Sequence, residues 1–355
     1  MFPCYQPPRC CISRLLACCW APRRCCCSWQ AVPEGRDFSP AYPVESAGLR
    51  RIMKRIALLV MTLVATVAAA QGTYDEAALK AFHAEREKAL LADNGWFTVS
   101  GLHFLNPGEN KFGSDPLNDI VLEYADVPKQ AGVISMDGRT VTIKAPDGQM
   151  LTYNGKPVKE APLRLSESGR PADLITYQST SFFLHFSGPR LAIRVRDQKA
   201  PLRTGFSSLK WYPTNQAMKV VGTFTPLATP KLIQSPTILG DLEPFMVPGN
   251  VAVTIGGKTA NMEAWKSGDR LWFVFRDLTS ADATYPSARF LYADGPTADG
   301  KVTLDFNRAQ NPPCAYNPWT TCPLPPAANK LPVRIEAGEK RYHSAATSDA
   351  AVLRK

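Results

Sequence analysis

The chain has 355 residues, 45% of them hydrophobic, with 31 prolines, 23 glycines and a formal net charge of +10. That charge is concentrated at the start: residues 1–70 hold nine Lys/Arg against three Asp/Glu, which leaves 32 against 28, about +4, for the rest. The remainder has the composition of a protein with a packed core. It carries no basic run or aromatic-interleaved stripe, so nucleic acid is excluded from the expected partners.

Cysteine is equally uneven. Eight of the ten lie between Cys4 and Cys27, and only Cys314 and Cys322 follow. That distribution excludes an evenly spaced disulfide framework. The adjacent pairs Cys10-Cys11 and Cys18-Cys19 and the run Cys25-Cys26-Cys27 lack the gaps of a zinc ribbon.

The first predicted element is a targeting segment. Met53-Lys54-Arg55 is a short positive start, followed by the apolar run Ile56 to Val67 and then Ala68-Ala69-Ala70 before Gln71. This is the layout of a secretory signal peptide over 53–70. The run is shorter than the roughly 20 apolar residues that span a bilayer. On this reading residues 1–52 are an upstream, disordered extension, and cleavage near Ala70 delivers a periplasmic or secreted protein that meets a membrane only through the signal segment. The rival reading keeps residues 1–52 as a membrane-attached region.

Thr73-Tyr74-Asp75-Glu76 has the form of a capping box. After it Leu79, Phe82, Arg86, Ala89 and Leu90 recur at helical spacing, which predicts a helix near 74–92 within a helical arm over 71–95. Asn94-Gly95 stops it. From Trp96 the pattern changes to short runs. Thr98–Phe104, Ile120–Leu122, Gly132–Met136, Thr140–Lys144 and Met150–Tyr153 read as strands, separated by Asn106-Pro107-Gly108, Asp137-Gly138, Pro146-Asp147-Gly148 and Asn154-Gly155. Asp-Gly and Asn-Gly between such runs are hairpin signals, so residues 96–165 are predicted to form a small β-sandwich. Phe112-Gly113-Ser114, Asn118-Asp119-Ile120-Val121-Leu122 and Tyr153-Asn154-Gly155 remotely resemble a forkhead-associated sandwich. That family's phosphothreonine-holding Arg is replaced here by Ser114, and no Ser-x-x-His follows before Gly132. The resemblance therefore implies a fold and not phosphopeptide binding.

After a polar joint at Ser166–Asp173 the strands resume: Leu174–Tyr177, Phe182–Phe186, Leu191–Arg196, Lys219–Thr225, Val251–Ile255, Ala260–Trp265, Arg270–Asp277, Ala288–Tyr292, Val302–Phe306 and Val333–Glu336. Pro248-Gly249-Asn250, Gly256-Gly257, Ser267-Gly268-Asp269 and Asp299-Gly300 punctuate them at the spacing of a sandwich or barrel. No strand–helix alternation appears, which disfavours a doubly wound sheet. The expected architecture is thus mainly β: an N-terminal helix, a small β-sandwich, and a larger antiparallel β-sandwich or barrel over 174–343, followed by a disordered tail at 344–355.

Short motifs run through the chain: Arg86, Gly95-Trp96, Gly101-Leu102, Asn110-Lys111-Phe112-Gly113-Ser114, Phe275-Arg276-Asp277, Tyr285, Arg289-Phe290-Leu291 and Leu304-Asp305-Phe306-Asn307. The most specific stretch is Asn311-Pro312-Pro313-Cys314-Ala315, Cys322-Pro323-Leu324-Pro325-Pro326, Asn329-Lys330-Leu331 and Ala337-Gly338-Glu339-Lys340. On these residues, across 80 to 342, the chain resembles domain-of-unknown-function family 1684, a group of uncharacterised, largely bacterial proteins. The resemblance implies no established activity.

Positive chemical motifs are few. The four histidines, His83, His103, His185 and His343, show no metalloenzyme spacing, so no metal is expected. There is no Gly-x-Ser-x-Gly elbow, Walker loop or Gly-x-Gly-x-x-Gly, and no cofactor is implied. The remaining candidate is a polar set in 276–340: Arg276, Asp277, Tyr285, Arg289, Asn307, Asn311, Asn329 and Lys340, with Asp305 or Glu336 as acid or base if a reaction follows. One reading has Arg276 and Arg289 clamping a carboxylate or phosphate of a small ligand. The other has an internally paired Arg–Asp–Asn network closing the end of a β-barrel. A metal-independent hydrolase or lyase and a structural module of the cell envelope are the rival functions, and oligomeric state is left open. Cys314 and Cys322 are expected to form a disulfide across their proline-rich loop in an oxidising compartment, with a reactive thiol, unpaired thiols or a metal site as alternatives. Trp319 beside prolines reads as loop packing in preference to a sugar platform.

Overall fold

The computed structural model of the protein describes residues 74–167 and 170–342. The upstream stretch, the signal segment, Thr73 of the predicted capping box, His343 and the tail lie outside them. Helix α1 (Glu76–Leu91) begins with Asp75 as its cap, whose carboxylate accepts the Ala78 amide at 2.8 Å. A short 3-10 turn at Trp96–Thr98 leads into β1 (Val99–Phe104), β2 (Gly108–Gly113), β3 (Ile120–Val121), β4 (Gly132–Asp137) and β5 (Thr140–Lys144). Then come β6 (Leu151–Tyr153), β7 (Lys156–Val158), β8 (Glu160–Pro162), β9 (Ile175–Tyr177), β10 (Thr180–Ser187) and β11 (Arg190–Asp197). After the single turn α2 (Pro201–Thr204) follow β12 (Lys219–Pro236), β13 (Leu242–Ile255), β14 (Lys258–Ser267), β15 (Arg270–Phe275), β16 (Arg289–Asp294) and β17 (Lys301–Asp305).

The first eleven strands make two sheets, β1-β11-β10-β9-β6-β7 and β3-β2-β4-β5-β8, which enclose a core that includes Phe112, Ile134, Ile143, Phe182, Ile193 and Val195. The small sandwich therefore runs to Asp197. The predicted boundary near 165 and the assignment of Leu174–Arg196 to the larger unit are corrected by this pairing. The sequence order misleads because β9–β11 return beside β1 and β6 after the Ser166–Asp173 joint. The second-half strands form one antiparallel sheet, β16-β15-β14-β13-β12-β17. It curls until edge strands β16 and β17 approach, giving a nearly closed barrel. Phe273, Phe275, Leu291, Val302 and Leu304 fill the inside.

Several boundaries also move. The hairpin β12–β13 is much longer than its predicted cores, because prolines 226, 230, 236, 244 and 248 hide its outer half. Pro248-Gly249-Asn250, predicted as a turn, lies in the ladder, with Pro226 opposite Gly249 and Thr225 opposite Asn250. Val333–Glu336 is not a strand: residues 331–342 run as irregular chain. The predicted strand Val302–Phe306 ends at Asp305, whose side chain caps the 3-10 turn Phe306–Arg308, so Asp305 and Asn307 do not share a strand face.

Strands β15 and β16 are apolar on both sides, as expected where both faces are covered. Alternation sends Leu271, Phe273 and Phe275, with Leu291 and Ala293, into the barrel. Trp272 and Val274, with Phe290 and Tyr292, point outward. That outward aromatic face becomes the wall of the pocket described next.

Candidate functional site

The polar set proposed from sequence does not converge on one cavity. Arg289 is fully buried at the start of β16, facing the barrel interior. Its guanidinium pairs with Asp277 at 2.7 Å and donates to the Ile335 and Ala337 carbonyls. Asp277 is equally buried and also accepts the Thr279 amide at 2.6 Å. Arg276, the next residue after β15, is exposed, and its backbone donates to the Asn329 carbonyl. The two arginines point in opposite directions, so the predicted Arg276–Arg289 clamp does not form.

The other members are dispersed. Asn329 is buried and exchanges hydrogen bonds with the Glu263 backbone at 2.7 and 2.9 Å. Asn307 is satisfied by Asn215 and Asp305. Asp305 accepts from the Tyr74 hydroxyl at 2.7 Å and pairs with Arg308, while Glu336 is exposed beside Arg334. Neither carboxylate lines the pocket described below. Lys340 lays its ammonium 4.6 Å from the Tyr212 ring centre. Tyr285 donates to the Cys314 carbonyl at 3.0 Å. Of the whole set, only Asn311 lines the pocket described below.

That pocket, of about 270 Å³, lies where α1 and the Trp96 turn meet the outward face of β15–β16. Trp272 and Tyr292, paired across the two strands, stack 5.9 Å apart and nearly parallel, and Phe290 meets Trp272 edge-on at 4.8 Å. Phe245 from the long hairpin adds a further ring 5.7 Å from Trp272. Such offset and perpendicular arrangements are the favoured geometries of aromatic contacts. Trp96, Arg86 and Glu243 complete the polar and aromatic part of the lining.

Arg86 is held from behind. Its guanidinium donates to the Asn311 carbonyl at 2.9 Å and to the Tyr316 hydroxyl at 3.3 Å, and lies 3.9 Å from the Glu339 carboxylate. Glu339 is fully buried and accepts from the Tyr316 hydroxyl, the Asn311 amide at 3.0 Å and the Asn311 side chain at 2.8 Å. Burial pushes the Glu339 carboxyl upward, opposed by Arg86, Tyr316 and Asn311. Burial and the neighbouring Glu339 push the Tyr316 phenol well above its usual value, so it remains a donor. Glu339 reaches this place because Gly338 adopts φ +80, with the Ala309 and Phe306 carbonyls packed against the face where a Cβ would sit. Glu243, half-buried in the lining, is raised by burial, against the Gly188 amide, the Thr321 hydroxyl and Arg194.

The predicted Cys314–Cys322 disulfide is not formed in this structure; both side chains are buried thiols. The Cys314 amide donates to the Cys322 sulfur at 3.3 Å, and Cys322 lines the pocket. Burial, followed by the hydrogen bond with Cys314, raises the Cys322 thiol well above its usual value, which disfavours a reactive thiolate. Trp319 does not line the pocket. Among the described residues no cluster of three or more His, Cys, Asp or Glu is arranged to hold a metal.

Sequence reasoning missed Arg86, Trp96, Glu243, Trp272 and Tyr292 as site residues. A signal existed for Arg86, a cation placed at helical spacing among Leu79, Phe82 and Leu90. For Trp272, Phe290 and Tyr292 the signal was an aromatic on the outward parity of two paired apolar strands.

The fold and site thus define a mainly β protein with a nearly closed barrel and an aromatic-walled pocket outside it. Residues 204–340 match the model of a protein family of unknown function, DUF1684, a shorter span than the resemblance drawn over 80–342. Among curated proteins none matches. Among solved structures, the chain is similar to an uncharacterized protein from gene locus rrnAC0354 of Haloarcula marismortui, at 27% identity over 39% of this chain and 78% of that one, TM-score 0.34. It is also similar to the FhaA FHA domain complexed with the intracellular domain of Rv3910, at 20% identity over 27% and 97%, TM-score 0.19. The Slr1951 protein from Synechocystis sp. stands at 19% over 28% and 94%, TM-score 0.17.

Proposed function

We propose that the mature chain is an exported protein that binds a small molecule with a flat apolar part and a polar or anionic group. The binding site is the pocket between Arg86, Trp96 and the outward face of β15–β16. One observation carries this reading: Trp272 and Tyr292 form a stacked wall that the fold leaves open to a cavity rather than covering with chain. Concave, largely aromatic sites with a few placed polar groups are the usual form of small-ligand sites. At about 270 Å³ the space lies just under the roughly 300–1,000 Å³ of drug-sized pockets, which restricts the ligand to a compact molecule. Arg86, fixed by Glu339, Tyr316 and Asn311, is a preorganised donor at its edge.

Native mass spectrometry of the protein recovered from its own cells tests this directly, before and after denaturation. A small defined mass should be lost on unfolding, and a folded Trp272→Ala variant should be recovered without it. Absence of any bound mass, together with unchanged tryptophan emission across a series of small aromatic compounds, would sink the proposal. The same spectra report whether the chain begins at Gln71, as export requires, and whether two hydrogens are missing at Cys314 and Cys322.

A further inference from the structure

Two arginines count as buried among the described residues, Arg289 and Arg194. The first is neutralised by Asp277. The second has no such partner at contact distance: Arg194 is 6% exposed, its Nε has no hydrogen-bond partner, and the Glu243 carboxylate acts on it only from longer range. Its neighbours make matters worse. Arg194 and Arg196 project from the same face of β11, away from the sandwich core to which Ile193 and Val195 belong. Arg196 also has an unpartnered buried Nε, and its guanidinium lies over Phe183 at 4.6 Å. Burial, and then the Arg196 charge, lower Arg194 to about 10, so it remains a cation at neutral pH. His185 on β10 is held neutral, its pKa pushed down to about 3 by burial and by Arg194.

An isolated buried cation costs several kcal/mol unless an anion or a set of acceptors compensates it. The place from which an anion can come is the adjoining pocket. Arg194 lies 5.6 Å from the Trp96 ring, and its field reaches Glu243 and Cys322. All three of those residues line the pocket, and Arg194 stands behind them rather than in the wall itself. Glu243 itself is occupied by the Gly188 amide and the Thr321 hydroxyl.

We propose that Arg194 is the anion anchor of this pocket and that the ligand is a small aromatic carboxylate. Its ring packs among Trp96, Trp272 and Tyr292, and its carboxylate pairs with the Arg194 guanidinium. A single negative charge is favoured over a phosphate dianion because Glu243 already places an acid in the lining. The inference rests on the pocket reading above and deepens it by assigning the ligand's charge and its partner.

The test compares benzoate and phenylacetate with their neutral amides, benzamide and phenylacetamide, by calorimetry and tryptophan emission on the mature chain. The acids should bind at least about tenfold more tightly than the amides, since a charge-assisted bidentate pair is worth about that or more. Arg194→Met should weaken the acids about 10- to 100-fold and leave the amides unchanged, with Arg194→Lys between. Arg194→Met should also melt at the same temperature or higher, because it removes an uncompensated buried charge. If the amides bind as well as the acids, or Arg194→Met leaves acid binding intact, the anchor is overturned while the pocket survives. If Arg194→Met melts well below the parent and loses acids and amides alike, Arg194 is structural and the anchor is again overturned. If neither acids nor amides bind, both the anchor and the pocket reading fall.

Discussion

Arg289 on β16 sits opposite Phe275, the last residue of β15, and Arg276 follows one position later. One residue of offset in a strand reverses the face. Arg289 therefore points into the barrel, and Arg276 points to water. Replacing Arg289 by Ala should cost about 3–5 kcal/mol, because it strands the Asp277 carboxylate in the interior. Arg276→Ala should stay within about 0.5 kcal/mol. Urea denaturation measures both, and equal effects would contradict the assignment. A second residue supplies a pH signature. Burial alone would raise Asp173, but Arg164, Tyr153 and Asn154 hydrogen-bond it and hold it down at about 2. The contacts include the Arg164 amide at 2.9 Å, its Nε at 3.0 Å and Asn154 Nδ2 at 3.0 Å. A depressed carboxyl contributes stability that is fully present above its unfolded value of 3.8 and lost as pH falls through about 2. Melting curves between those limits should therefore fall more steeply for the parent than for Asp173→Asn. Parallel curves would show that the pairing contributes nothing.

At the scale of elements, regular alternation was legible and irregular backbone was not. β5 and β10–β11 were found close to their true limits because apolar and polar residues alternate there. β2, β7 and β8 were missed: each is short and polar or proline-bearing, and its pairing is decided by a partner strand rather than by its own residues. The outer half of the β12–β13 hairpin was missed for a related reason, since its prolines suggest loop while the ladder runs past them with a register shift between Pro226 and Lys231. The irregular segment 331–342 matters most to the site, because it carries Glu339 to Arg86. Its turn depends on Gly338 at φ +80, where a Cβ would stand 2.5 Å from the Ala309 carbonyl. Gly338→Ala should cost about 1–3 kcal/mol of backbone strain and loosen Arg86. The thermal shift reads the first effect. Weakened binding of the pocket's ligand, relative to an equally destabilised variant elsewhere, reads the second.

At the scale of the whole molecule, the pocket is assembled from distant parts of the chain: Arg86 on α1, Trp96 beside β1, Phe245 on the long hairpin, and Trp272 and Tyr292 on the barrel. The described residues fall in one compact unit beginning at residue 73, and the family match at 204–340 includes only part of that set. A fragment restricted to residues 204–342 lacks Arg86, Trp96 and Arg194. It would leave Glu339 buried without its cation. We expect it either to unfold, seen as loss of dispersed amide signals in NMR, or to fold without binding small aromatic compounds. Ligand binding by the isolated fragment at parental affinity would refute this assembly of the site.

What the sequence determined by itself was the class of architecture, the helix near 74–92 and the family resemblance, because these follow from local periodicity and short motifs; the cap is Asp75, inside the predicted box rather than at its first residue. The polar cluster it singled out contains the ion pair and amides that close the barrel, and only Asn311 among them reaches the cavity. Tertiary structure decided the rest: where the sandwich ends, which arginine is buried with a partner, and which is buried without one. Those outcomes depend on strand register and on which sheet each face meets. A single chain's residue pattern does not encode them position by position, since the same Arg reads alike whether or not an Asp lies opposite.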